Sequence, residues 1–158
     1  MAPAARLAQI SRHLLADPVA AVGAGGEVSE VDELQAVREV MDRYTEATWT
    51  ANVEMLKTIF HENAIMNGYI GKIMVVGSPQ PFYDEMADLA AKGKSFKAQG
   101  FDYKSEVTSL NVYGNAATAT VVERGYGGKL AFTDVFHLLK VGDAWKIMSK
   151  LFTGSKMK

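Results

Sequence analysis

The sequence has no cysteine, which removes disulfides, thiolate metal sites and cysteine nucleophiles together and leaves the redox compartment open. Histidine is scarce. His13, His61 and His137 lie far apart, outside any paired-carboxylate motif, so the expectation is no metal and no cofactor. Neither sign of charge dominates: 17 basic against 18 acidic residues leave a formal net charge of -1. That balance gives no electrostatic footprint for phosphate backbones or anionic lipid, and nucleic acid is not an expected partner. No uncharged apolar run reaches the length of a membrane span. A secretory signal is also missing an unbroken apolar centre, because Arg12, His13 and Asp17 interrupt the one stretch that qualifies. These absences point to a soluble, cytoplasmic protein with no membrane partner.

What is present is a chain of 158 residues, 48% apolar, enough for one domain with its own core. Residues 1–30 read as an arm: they are rich in alanine and close on Gly23, Gly25 and Gly26 after Pro18. Leu7, Ile10 and Leu14 share a helical face, so the arm is either a short amphipathic helix or a partly disordered tail. Residues 31–158 form the domain. Ser29, with Asp32 three residues on, is placed to cap a helix in which Leu34, Val37, Met41, Tyr44 and Thr48 recur at helical spacing. Asn52 can cap a second, shorter helix with Val53, Leu56, Ile59 and Phe60 as its buried stripe. Two short strand-like runs follow, Ala64 to Asn67 and Lys72 to Val76, then a third helix from Phe82 to Ala91, stopped by Gly93.

From Lys97 onward the pattern becomes that of strands, rich in Val, Thr, Tyr and Phe. It is punctuated by Gly114-Asn115, Gly127-Gly128 and Gly142-Asp143, pairs that tolerate the backbone of tight hairpins. Short turns force antiparallel neighbours, so this half is a four-strand meander that the helices cover on one face. The fold class is α+β.

The last two strands carry the most characteristic residues: Phe132-Thr-Asp-Val-Phe-His-Leu-Leu-Lys140, a turn, then Trp145-Lys-Ile-Met-Ser-Lys-Leu-Phe152. Together with Tyr44 late in the first helix and Phe60-His61-Glu62-Asn63-Ala64, this pattern resembles the lumazine-binding branch of the nuclear transport factor 2-like (NTF2-like) superfamily. That superfamily also holds ketosteroid isomerase, scytalone dehydratase and SnoaL-like polyketide cyclases. The resemblance runs from about Val31 to Phe152. It implies a cone: three helices packed on the concave face of a curved, mainly antiparallel sheet, with a small organic molecule held between them.

Residues two apart on a strand share a face. Resemblance to ketosteroid isomerase places the pocket acid on Asp134, so Asp134 and Phe136 point inward. The same register points Met148, Lys150 and Phe152 inward on the last strand, and Thr118, Thr120, Val122 and Arg124 on the second. Asp134 facing Lys150 has two readings. Either the pair orients a polar edge of a ligand or shuttles a proton, with Tyr44 donating from the helix above, or it is a salt bridge that pins the sheet, with Tyr44 a core aromatic.

By the same resemblance, a ketosteroid isomerase general base would fall at or near Gly68. A glycine there argues against that isomerase activity. His61 is the best remaining general-base candidate, or else a histidine that satisfies helix-terminal carbonyls. Trp49, Phe60, Met66, Tyr83, Phe136 and Phe152 are expected to supply apolar walls suited to a flat heterocyclic or aromatic compound.

Three functions follow as expectations. The first is a small-molecule binder framed by Tyr44, Arg124, Asp134 and Lys150. The second is a cofactor-independent isomerase, lyase or polyketide-cyclase-like enzyme with Asp134 or His61, assisted by Tyr44, as acid/base. The third is a dimeric scaffold with a filled interior. The outer sheet face, with Val135, Leu139, Ile147 and Leu151, is too apolar to leave exposed, and family members commonly pair through it. A homodimer is therefore expected, with His137 on the same outer face.

Overall fold

The computed structural model describes residues 29–158, and the arm, with His13 and its Leu7, Ile10 and Leu14 face, lies outside the described residues. Helix α1 (Glu30–Thr50) starts where its capping chemistry requires. The Ser29 hydroxyl accepts from the Asp32 amide, and the Asp32 carboxylate accepts in return from the Ser29 amide, each at 3.2 Å. One stripe of the helix, Val37, Met41, Tyr44 and Thr48, is buried. Asn52 caps α2 (Val53–Ile59), its side-chain oxygen accepting from the Met55 amide at 3.0 Å. Strand β1 (Phe60–Ile70) follows without a loop, longer than the run Ala64 to Asn67 that its alternation marks. Then come β2 (Ile73–Val75) and α3 (Gln80–Ala91).

The second half is the meander: β3 (Lys104–Tyr113), β4 (Ala116–Tyr126), β5 (Leu130–Val141) and β6 (Ala144–Lys156), with its turns at the expected glycines. The sheet order is β2-β1-β6-β5-β4-β3, and β1 with β6 is the one parallel pair among the described strands. Among the described residues three helices pack on one face of this curved, mixed, open sheet, an α+β architecture with the core between the layers. Among the described residues no helix is long and apolar enough to cross a membrane.

Two local irregularities decide which side chains reach the interior. In β6, His137 pairs with Ser149 and Leu138 with Ile147, so Met148 is an extra residue. One inserted residue reverses a period of two. Trp145 and Ile147 therefore point inward before the bulge, and Lys150 and Phe152 after it. Ile147, expected on the outer face, is fully buried, and Met148, expected inside, sits half-buried at the bulge. In β4 the expected face is reversed outright. Asp134 pairs with Val121 and Phe132 with Glu123, and cross-strand partners share a face. Ala117, Ala119, Val121 and Glu123 are buried, whereas Arg124 is exposed and Thr118, Thr120 and Val122 are only half-buried.

Candidate functional site

At the centre of the concave face Tyr44 descends from α1 onto the sheet. Its hydroxyl donates to Asp134 Oδ2 at 3.1 Å and accepts from Lys150 Nζ at 2.6 Å, while that ammonium also pairs with Asp134 Oδ2 at 2.9 Å. All three are buried. The Tyr44 ring packs edge-on to Phe136 at 4.9 Å. Burial pushes the Asp134 carboxyl up from its ordinary value, outweighing Lys150 and Tyr44, which pull it down.

A second acid lies beside this triad. Glu123 is fully buried and accepts at Oε1 from the Tyr103 hydroxyl at 2.9 Å, while its Oε2, like Asp134 Oδ1, has no hydrogen-bond partner among the described residues. Burial, reinforced by the charge of Asp134, pushes Glu123 up to about 7, against the pull of Lys150 and of the bond from Tyr103. Burial likewise holds the Tyr44, Tyr103 and Tyr126 hydroxyls well above their usual range, so all three remain donors near neutral pH. Two buried carboxylates against one ammonium leave one charge uncompensated if both ionise, so near neutrality the pair retains part of a proton.

Beside these groups, beneath α3, is a cavity of about 270 Å³. Phe82, Tyr126, Phe132 and Phe152 give it aromatic walls, Glu123 and Lys150 are its inner polar groups, and Glu85 stands toward solvent, accepting from the Tyr126 hydroxyl at 2.9 Å. Glycines create the space. Gly68 pairs across strands with Phe152 and Gly154 with Phe132. A Cβ on Gly68 would meet the Phe152 ring at 2.6 Å and its carbonyl oxygen at 2.0 Å, and one on Gly154 would meet the Phe132 ring at 2.2 Å. Each ring thus lies down over a glycine instead of standing up into the interior. The position where a ketosteroid isomerase base would be sought is covered by the ring of Phe152.

The structure divides the expected residues. Met66, Lys150 and Phe152 line the cavity, and Tyr44 and Asp134 reach it through Lys150. Phe60, Tyr83 and Phe136 belong to the packed layer around Tyr44, with Phe60 and Tyr83 edge-on at 6.0 Å. Trp49 is half-buried elsewhere, with the Lys97 ammonium 4.7 Å above its ring. Arg124 and Met148 are outside the cavity lining, for the register reasons given above. His61 is too: its Nδ1 accepts from the Asn63 amide at 3.1 Å, a local bond instead of a carbonyl cap. Glu123, Tyr103, Tyr126 and Phe132 were missed. For Phe132 the signal was its shared parity with Asp134, and for Tyr126 it was Gly125, with φ 80° at a register shift between Arg124 and Tyr126, since a glycine just before a turn glycine pair marks a bulge that resets the face; Glu123 and Tyr103 had no such signal.

The family model described as "Putative lumazine-binding" matches residues 32–153. Among solved structures, an NTF2-like protein of unknown function from Methylobacillus flagellatus KT is 26% identical, with 86% of this chain and 100% of that chain covered and a TM-score of 0.67. An NTF2-like protein of unknown function from Shewanella baltica OS155 is 24% identical over 80% of this chain and 96% of that one, also with a TM-score of 0.67. A protein from Streptomyces avermitilis, described as a putative dehydratase of the NTF2-like family, is 14% identical over 82% of this chain and 99% of that one, with a TM-score of 0.51. No curated protein matches by sequence. With the family model spanning most of the described residues and the solved structures sharing the cone of helices on a curved sheet, the chain belongs to the family described as "Putative lumazine-binding", within the NTF2-like superfamily.

Proposed function

We propose that this protein binds a small, flat, largely apolar ring compound in the cavity beneath α3. The observation that carries the reading is the lining: aromatic rings on several sides with Glu123 and Lys150 as the inner polar groups. This is the usual make-up of a small-molecule site, apolar walls with few convergent polar groups. A volume of about 270 Å³ is near the lower end of the range for such sites, which suits a compound of one or two rings. The frame is Tyr44, Glu123, Asp134 and Lys150, with Glu123 in the place expected for Arg124. An open cavity of this kind does not fit a filled scaffold. Native mass spectrometry of the purified protein tests the reading: a ring compound should be retained, and lost in Phe132→Trp, which fills the space. Failure of the wild-type protein to retain or take up any ring compound from a broad metabolite mixture would overturn it.

A cofactor-independent isomerase or lyase is the second reading, favoured by a buried carboxyl with a free oxygen that titrates near neutrality. In that case Glu123 is the acid/base group in place of Asp134 or His61, because it alone of the three lines the cavity. Turnover of the retained compound, abolished in Glu123→Gln, would distinguish an enzyme from a binder.

The second copy expected at the outer face is part of the same proposal. Tyr69, Met74, Val76, Leu139 and Leu151 are all exposed, and a groove of about 410 Å³ runs between β2 and the outer side of β6 and β5. The exposed apolar side chains span several strands of one face, which suits a self-complementary hydrophobic contact. Light scattering should report a dimer that Leu151→Lys dissociates, and a wild-type monomer would remove this part of the proposal.

A further inference from the structure

The charges around the cavity do not cancel. Among the described residues that line it, Lys150 is the one base, and its ammonium is already engaged by Tyr44 and Asp134 at 2.6 Å and 2.9 Å. The acids that remain are Glu85 toward solvent and Glu123 within, and Glu123 Oε2 is buried without a partner. An ionised carboxylate oxygen can only accept a hydrogen bond. Around it stand rings, whose faces attract positive charge. The Lys150 ammonium already uses that environment, lying 5.4 Å from the ring centres of both Phe82 and Phe152.

We propose that the cavity selects a one- or two-ring aromatic base, cationic at neutral pH, whose N–H group pairs with the free oxygen of Glu123, and that it rejects aromatic carboxylates. This rests on the cavity being a binding site, as argued above, and adds the charge class of its ligand. An anion would meet an acid with no free base to offset it, whereas a cation supplies the donor that Glu123 lacks.

The pairing also links binding to protons. The groups facing Glu123 are Tyr103 ahead of β3, Asp134 on β5, Lys150 on β6, Tyr126 on its own strand, Tyr44 on α1 and Glu85 at the mouth. The tyrosines stay protonated, and of the two carboxyls that burial raises, Asp134 and Glu123, it is Glu123 that faces the cavity. With its carboxyl held at about 7, a cationic ligand must displace a proton below that pH and need not do so above it. Affinity for the cation therefore rises with pH through neutrality and levels off.

Benzamidine, benzamide and benzoate test this as cation, neutral molecule and anion of one size. Calorimetric titration gives the affinities, and NMR shifts at Phe132 and Phe152 confirm the location. At about pH 8 benzamidine should bind at least tenfold more tightly than benzamide, the order expected of one charge-assisted hydrogen bond, and benzoate should not saturate the site. From about pH 8 to about pH 6 benzamidine should weaken roughly tenfold with proton release on binding, while benzamide should not weaken. Glu123→Gln should remove the preference for benzamidine. Benzoate binding as tightly as benzamidine, a pH-independent benzamidine affinity, or a preference that survives Glu123→Gln would each overturn the proposal. If benzamide enters and benzamidine does not, only the charge assignment fails, whereas if none of the three enters, the binding reading fails with it.

Discussion

The two ends of the concave face use similar residues to opposite effect. Around Tyr44 every slot is taken: Phe136 and Phe60 meet its ring edge-on at 4.9 Å and 6.4 Å, and its hydroxyl is held by Asp134 and Lys150. Beneath α3 the rings are as numerous, yet about 270 Å³ stays open. The difference is made by the backbone below. At the open end Phe152 and Phe132 lie over Gly68 and Gly154, lowering the floor by the thickness of the missing side chains. Polar groups divide differently: the packed end closes Lys150 against Tyr44 and Asp134 Oδ2, while one carboxylate oxygen at each end, Asp134 Oδ1 and Glu123 Oε2, is left unmatched among the described residues, and only that of Glu123 belongs to a residue lining the cavity. An aromatic core becomes a cavity where its rings are allowed to lie flat.

The sharpest way to break this comparison is to open the packed end. Lys150→Met would leave Asp134 buried without its ammonium, and breaking one side of a buried pair costs about 3–5 kcal/mol. Urea unfolding should show that loss, and adding Asp134→Leu should return most of it, because the desolvated charge goes too. A loss below about 1 kcal/mol would mean that the pair contributes little to the packed end. The next largest effect should come from closing the open end. Gly68→Ala places a methyl 2.0 Å from the Phe152 carbonyl oxygen and against its ring, an overpacking expected to cost about 2–3 kcal/mol. Since the ring must lift into the cavity, uptake of ring compounds should fall in parallel with stability. A stable variant with unchanged uptake would refute the account of how the space arises.

Glu123 lets the two ends be compared by pH. Its carboxyl is raised to about 7 by burial and by Asp134, above the ordinary 4.5 of an unfolded chain. Below the lower value both states hold the proton and the group costs nothing. Between the two values the unfolded chain releases a proton that the folded protein keeps, so Glu123 subtracts stability as pH rises, and above about 7 the loss is complete. By linkage it amounts to a few kcal/mol at most. Glu123→Gln removes the titration, so the stability difference between variant and wild type should grow in favour of the variant between those pH values and then level off. A difference that is flat with pH would show that Glu123 titrates normally.

Much of this was legible in the sequence because it depends on neighbours along the chain. The caps at Ser29 and Asn52, the helical stripe through Tyr44 and the glycine turns are all short-range, and each lies where its residues place it. Asp134, Lys150 and Tyr44 were found by the parity of single strands and the family resemblance, and they do meet. What failed was the transfer of parity across irregularities. Met148 at its bulge reversed half of β6, and β4 was assigned to the wrong face, so that Arg124 was chosen and its neighbour Glu123 passed over. Pattern alone could not separate the two faces of β4, where small residues and threonines alternate and neither set is clearly the more apolar. Pairing settles it, since Val121 sits opposite Asp134, and pairing is a property of two strands at once.

The smallest predicted effect isolates the bond that sets how far Glu123 titrates from an ordinary acid. Tyr103 donates to Oε1 at 2.9 Å and, by favouring the ionised form, pulls the carboxyl downward. Tyr103→Phe keeps the ring and deletes the donor, leaving both oxygens of a buried carboxyl without the tyrosine's proton. A net loss of about 1 kcal/mol is expected where the neutral acid can take up part of the strain by holding its proton. Titration of the side-chain carboxyl by carbon NMR should show Glu123 moving further upward, and cationic ring compounds should then require a higher pH to bind. If the titration does not move, Tyr103 does not govern the acid. The downward pull on the carboxyl would then rest on the charge of Lys150, and the packed end would be setting the chemistry of the open one.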